Sequence, residues 1–385
     1  MFLTEDICSK FRSSLRKNME LGELLHVIGS VQFWRMGVFW TLGLIYSYIR
    51  QCFQRLSHRT TLYYQVADST STQGSHPVCV ITGATSGLGQ AAAYALSLHG
   101  FYVVLAGRSS LSLSKTMEEI RKQHPGAYLK AFKLDVASVR SIALFKDSLQ
   151  TWLVESNMHC SIQVLINNAG ILATSSRRTT DGYDEMMETN YIGPFFLTKS
   201  LLPLLQNSPF GSKIVNVTSF THQSVFNLQV DKETVTGIRF HGFSQYPYAK
   251  IYEYSKLFVL LFTYQLLREL CVDEKCSKIS VLAVDPGAVE TKILREFPPQ
   301  LSSFSHLVLK LLGLMQTPAV GIRSLLDAVF APPHQGCIFL VVVAKLSAPP
   351  HFHMTKGLQN SCGKLHVPCS WNRANCTNHM YQTNC

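Results

Sequence analysis

The sequence predicts an α/β chain, a doubly wound parallel sheet of seven strands preceded by an N-terminal membrane-anchor helix. Three observations predict it. From Pro77 onward, short apolar, β-branched runs alternate with longer amphipathic stretches, the pattern of strands covered by helices on both faces. A glycine-rich turn follows the first of those runs directly. Upstream, residues 36–49 carry no charge, and with Arg35 allowed the apolar stretch reaches back to Val27, long enough to cross a bilayer.

The elements follow in chain order. Residues 1–60 form an N-terminal region whose anchor helix covers about 27–49, with Trp34, Trp40, Tyr46 and Tyr48 suited to its interfacial ends. The apolar run starts too late for a cleaved signal peptide, and Glu5, Asp6, Glu20 and Glu23 argue against a transit peptide. Residues 61–76, ending in the polar ADSTSTQGSH, are a linker. Strands are predicted at 78–82, 102–106, 129–135, 163–167, 213–218, 279–285 and 337–343, with helices in the gaps, so residues 77–340 make one domain. Residues 341–385 show no amphipathic period and abound in Pro, Asn and Cys, which reads as an irregular tail.

Composition narrows the function. Apolar residues make up 46% and charged residues 15% of the 385, which excludes disorder for most of the chain and favours contact with lipid. The net charge is +11, but no run of five basic residues occurs, so anionic lipid or a phosphorylated cofactor is expected and nucleic acid is not. Seven cysteines are scattered like the buried thiols of a reducing compartment. The four in the tail form no CxxC pair, and no metal site is expected.

Three groups of residues carry chemistry. The first strand runs into Thr82-Gly83-Ala84-Thr85-Ser86-Gly87-Leu88-Gly89, where a glycine turn lets backbone approach a pyrophosphate held at the following helix N-terminus. The second strand ends in Gly107-Arg108, a space and a cation where an acid would select NAD(H), so NADP(H) is preferred. Two tyrosine and lysine pairs compete further on, Tyr246 with Lys250 and Tyr252 with Lys256. Proton transfer needs both side chains on one helical face, and Pro247 pushes Tyr246 out of the helix, so the second pair is selected.

With Asn167-Asn168-Ala169-Gly170 closing the fourth strand, the chain resembles the short-chain dehydrogenase/reductase superfamily, a Rossmann-type fold. The resemblance covers residues 77 to about 340 and rests on TGATSGLG, LDV, NNAG, ETNYIG, VNVTS, YEYSK and DPGAVET in that order. Its wording looks most like the retinol dehydrogenase group, near the X-chromosome-encoded dehydrogenase/reductase family member and its plant relatives. The resemblance implies a catalytic set of Asn190, Ser219, Tyr252 and Lys256. It implies cofactor contacts at Thr82, Gly83, Thr85, Ser86, Gly87, Leu88, Gly89, Arg108, Asp135, Val136, Asn168, Ala169, Gly170, Tyr252, Lys256, Pro286, Gly287, Val289 and Thr291. Tyr252 would carry the proton, with Lys256 favouring its phenolate, Ser219 holding the reacting oxygen and Asn190 anchoring a water beside Lys256.

The expected protein is thus a membrane-anchored, NADP(H)-dependent oxidoreductase interconverting the alcohol and carbonyl of an apolar substrate of retinoid or polyprenoid class. Residues 220–251 and 293–315 would wall the substrate pocket. The membrane would be that of the endoplasmic reticulum, with the catalytic domain cytosolic, and a homodimer is left open. The rival readings are a steroid or xenobiotic carbonyl reductase and a catalytically impaired membrane scaffold.

Overall fold

Valine, isoleucine and leucine on both faces of a strand leave it no solvent side, which suits the middle of a helix-covered parallel sheet. Such runs form β1 (Val78–Thr82), β2 (Tyr102–Gly107), β3 (Leu129–Lys133), β4 (Val164–Asn167), β5 (Ser212–Val217) and β6 (Ile279–Asp285). The structure, a computed structural model, describes residues 22, 27–57, 76–226, 228, 230–272, 278–331 and 340–342. A three-residue β7 (Leu340–Val342) pairs with Ala283, Val284 and Asp285 at the edge. The spatial order is β3-β2-β1-β4-β5-β6-β7, with every described pairing parallel. The order reverses beside β1, so a crevice opens between the carboxyl ends of β1 and β4.

The helices are α1 (Thr41–Ser57), α2 (Gly87–Leu98), α3 (Ser110–Gln123), α4 (Val139–Glu155), α5 (Gly193–Gln206), α6 (Tyr248–Val272), α7 (Pro299–Leu311) and α8 (Arg323–Phe330). Alternation along β1 assigns the two layers: Val78 and Val80 join a core with Phe145, Leu201 and Phe258, and Cys79 and Ile81 join one with Leu96 and Leu325. Among the fully described strands, one predicted end differs by more than a residue. β3 stops at Lys133 because the Asp135 N–H donates to Ser141 Oγ at 2.9 Å and Asp135 Oδ1 accepts from Ala137 N–H at 3.1 Å, which turns the chain into α4. Of the strand expected at 337–343 only Leu340–Val342 is described; the rest of it, the tail after Val342 and the linker before His76 lie outside the described residues.

The N-terminal segment 27–57 holds a helix where the anchor helix is expected. Among the described residues no helix is long and apolar enough to cross a membrane. A short turn at Val31–Trp34 and a π-helical turn at Arg35–Trp40 lead into α1, and the inner side of this broken helix docks on the domain. The reason is polar. Glu253, with no solvent exposure, accepts from Arg35 Nε at 2.9 and 3.1 Å and from Arg35 Nη2 at 2.6 Å. The same Nη2 donates to the Ser224 carbonyl at 2.9 Å, and Ser30 Oγ lies 3.2 Å from Tyr248 Oη. Leu44 completes the seat against Phe220 and Leu314. The outward side keeps Val31, Phe39, Leu42 and Tyr46 exposed.

A buried carboxylate stripped of its cation is costly, typically about 3–5 kcal/mol. Arg35→Ala should therefore lower stability by about that amount, read from the urea midpoint. Arg35→Met combined with Glu253→Gln should recover most of the loss, and equal loss in both proteins would show that the ion pair does not hold the segment.

Candidate active site

The turn after β1 is built around backbone that a side chain would block. Gly83 and Gly87 have φ of +65° and +53°. A Cβ on Gly89 would run into the Gly83 carbonyl and stand 2.6 Å from Asn168 Nδ2. The ends of β1 and β4 are laced together there: Asn168 Nδ2 donates to the Thr82 carbonyl at 2.9 Å, and Thr82 Oγ1 accepts from the N–H groups of Asn168 and Ala169, both at 3.0 Å. Ser86 precedes α2 with its hydroxyl uncommitted to the helix cap, so the N-terminus of this 12-residue helix opens toward the crevice.

That crevice is a cavity of about 800 Å³. Thr82, Gly83, Thr85, Ser86, Gly87, Leu88, Arg108, Asp135, Val136, Asn168, Ala169, Gly170, Pro286, Gly287, Val289 and Thr291 line it, while Gly89 lies behind the turn and governs its shape. The Arg108 side chain is 55% exposed, and its Nη1 stands 3.9 Å from Glu185 Oε1, a loose pair that leaves the guanidinium free to take an anion. A helix N-terminus, a side-chain-free turn and an available cation along one trough fit a phosphorylated dinucleotide.

At the other end of the same cavity stand Ser219, Tyr252 and Lys256. Ser219 follows β5 and starts the 3₁₀ turn Phe220–Ser224, while Tyr252 and Lys256 lie one turn apart on α6. Lys256 Nζ is 5.7 Å from the Tyr252 ring centre and donates to the Val217 carbonyl at 3.1 Å. Asn190 sits in the π-helical turn Glu188–Ile192 before α5. Its Oδ1 accepts from Ile171 N–H at 2.8 Å, and its Nδ2 donates to the Ile171 carbonyl and to Ser255 Oγ, both at 3.0 Å. Gly170 separates it from Lys256: a Cβ there would stand 3.4 Å from Asn190 Oδ1 and 3.6 Å from Lys256 Nζ. The rival pair is elsewhere. Tyr246 lies before α6 and donates its hydroxyl to Asp184 Oδ2 at 2.8 Å, and Lys250 Nζ lies 5.5 Å from the Tyr254 ring centre.

The electrostatics of the site follow from its burial. Burial pushes the Tyr252 phenol up, the buried Asp285 carboxyl pushes it further, and the Ser219 hydrogen bond opposes them. Burial also brings the Lys256 ammonium down to about 8, with Asp285 opposing. His222 belongs to the same cluster, its ring N–H donating to the Ser219 carbonyl at 2.5 Å, while Asp285 Oδ1 accepts from Gly287 N–H at 2.9 Å.

The pocket walls also differ from expectation. Of residues 220–251, Phe220 and Thr221 reach the cavity; Phe240 packs on Phe243 and Tyr254, and Tyr246 on Asp184. Within 293–315, Ile293, Phe297, Leu301, Leu309 and Met315 do line it. The wall that sequence reading missed is N-terminal, where Met36, Trp40 and Leu44 line the cavity with Tyr252. No local signal separates a docking helix from a spanning one here except Arg35 within the apolar run.

Known proteins agree with this geometry. A family model described as short chain dehydrogenase matches residues 77–230. Human polyprenol dehydrogenase is 30% identical over 264 residues, 67% of this chain and 74% of that protein. The chain belongs to the short-chain dehydrogenase/reductase family. Mouse retinol dehydrogenase 12 is 33% identical over 230 residues, 59% of this chain and 66% of that one. A solved variant of actinorhodin polyketide ketoreductase with NADPH superposes with a TM-score of 0.51 at 25% identity, covering 70% of this chain and 96% of that one. As a short-chain dehydrogenase/reductase the protein is an oxidoreductase with a nicotinamide cofactor, and its Rossmann-type sheet presents the trough for it.

In this short-chain dehydrogenase/reductase the glycine turn tolerates no added methyl group at Gly89. Gly89→Ala should weaken NADPH binding at least about tenfold, the order expected when overpacking of about 1–3 kcal/mol falls on a binding turn. Calorimetric titration reads it, and unchanged affinity would place the dinucleotide elsewhere.

Proposed function

We propose that the protein is an NADP(H)-dependent oxidoreductase that interconverts the alcohol and carbonyl of an apolar substrate, with Tyr252 carrying the proton. The observation that carries this reading is the convergence of Ser219, Tyr252 and Lys256 on one end of a cavity whose other end is the glycine turn and the α2 N-terminus. A bound nicotinamide supplies or accepts the hydride at the carbinol carbon. In the reducing direction the protonated Tyr252 hydroxyl gives its proton to the substrate oxygen as charge builds there, and Ser219 Oγ–H donates to the same oxygen. In the oxidising direction the alcohol proton passes to Tyr252. Lys256 holds its ammonium against the Val217 carbonyl beside the tyrosine ring. Asn190 acts as a positioning residue through Ile171 and Ser255.

Two further parts of the reading have their own support. NADP(H) over NAD(H) is supported by Arg108 beside Gly107 at the end of β2, where a guanidinium meets a 2′-phosphate with charge-assisted hydrogen bonds. An apolar substrate is supported by the walls around Tyr252 and by relatives named polyprenol dehydrogenase and retinol dehydrogenase 12. Lipid contact through the N-terminal helix is supported by the exposed outer face of residues 31–49 and the exposed Phe304, Leu307 and Leu311 of α7 on the far side of the cavity.

Tyr252→Phe deletes one hydroxyl and should lower turnover of apolar alcohols by about 10²–10⁴-fold while NADPH still binds. Tyr246→Phe should reduce stability through Asp184 and leave turnover nearly unchanged. The reverse pattern would sink the assignment. Arg108→Ala should weaken NADPH by about 1.5–3 kcal/mol and NADH little; equal losses in two titrations would make the arginine structural. In a vesicle flotation assay with phosphatidylcholine and phosphatidylserine, Phe39→Ser with Leu42→Ser should release most of the bound protein, and undiminished flotation would exclude the N-terminal helix as the lipid contact.

A further inference from the structure

Trp40 lies 37 positions before the stretch that the family model covers, yet it lines the cavity beside Tyr252. Its ring centre is 5.5 Å from that of Tyr252, tilted by 40°, and 6.4 Å from Phe220, at 90°. Its Nε1–H donates to Glu253 Oε1 at 2.8 Å, and Glu253 is the residue directly after Tyr252. The carboxylate that Arg35 anchors therefore also sets the indole plane, and the helix that carries the proton-transferring tyrosine carries the residue that aims the tryptophan. Both ends of this link are fixed: Glu253 has no exposure, and the π-helical turn ending at Trp40 is seated by Leu44 just beyond it.

We propose that Trp40 is the specificity-determining wall of the substrate pocket, a rigid indole beside Tyr252 that limits the groups a substrate carries at its reacting carbon. The inference rests on the reading that an alcohol or carbonyl reacts at Tyr252. A flat aromatic wall at that place leaves a slot for a carbon bearing one chain and crowds a carbon bearing two. The site thus favours primary alcohols and aldehydes over secondary alcohols and ketones. Its selectivity comes from a segment outside the dinucleotide fold, so the cofactor trough is untouched by changes there. A few heavy atoms in such a pocket change discrimination by about 10–200-fold.

The test uses the full chain with farnesol, a primary alcohol, and 1-phenylethanol, a secondary one. In Trp40→Ala the ratio of kcat/KM for farnesol to that for 1-phenylethanol should fall at least about tenfold, with NADPH affinity unchanged. Trp40→Phe keeps a smaller ring, should shift the ratio about threefold in the same direction, and carries the test if the alanine variant does not fold. An unchanged ratio in the folded variant, or equal losses for both alcohols together with weaker NADPH binding, would overturn the proposal. If the wild type oxidises neither alcohol, the catalytic reading falls separately. The wall is then judged by calorimetric affinity of the two alcohols for the NADP⁺ complexes of wild type and variant, where an unchanged affinity ratio overturns it.

Discussion

A carboxylate with no solvent exposure, Glu253, stands one residue past Tyr252, and the cation that meets it comes from Arg35, 218 positions upstream. Taking a charge out of water is unfavourable unless a partner with good geometry follows it in. Arg35 brings two nitrogens to the two carboxylate oxygens, Trp40 adds a third donor, and the N-terminal segment is thereby pinned as a wall of the cavity. Burial still pushes the Glu253 carboxyl above its ordinary range, with Arg35 and Trp40 pulling it back. The pocket wall, the orientation of the indole and the docking of α1 all follow from satisfying that one charge.

The opposite end of the cavity obeys a steric constraint instead. Gly83, Gly87 and Gly89 bring backbone close to Asn168 and Thr291, and any of the three as a larger residue would push β1, β4 or the chain after β6 apart. Gly193 does the same beside Val136, since a Cβ there would meet the Val136 carbonyl. One end of the trough is shaped by the absence of side chains, the other by two large aromatic ones. The first surface suits a dinucleotide at the carboxyl edge of the sheet, and the second is completed by Trp40 from the N-terminal segment.

Between the ends lies a buried electrostatic cluster. Asp285, His222, Lys256 and Tyr252 share a region of low dielectric, where each charge changes its neighbours. The carboxyl of Asp285 supports the Lys256 ammonium and disfavours a Tyr252 phenolate. One carboxyl thus raises both the ammonium and the phenol.

Much was legible from local rules acting over a few residues. The continuous apolar run Val78–Thr82, the glycine spacing after it and the helical face shared by Tyr252 and Lys256 are properties of short segments, and Pro247 excludes Tyr246 through its own ring sterics. Three matters were decided by tertiary structure. Residues 27–57 dock as a broken helix because Glu253 is buried where Arg35 can reach it, a fact of folded geometry that an apolar run cannot announce. Residues 220–251 mostly turn from the cavity because Tyr246 bonds Asp184 and because Gly237, at φ +75°, lets the chain press against that aspartate. The upward shift of the Tyr252 phenol comes from burial and from Asp285 on β6, and the energy of a charge depends on what surrounds it in space rather than along the chain.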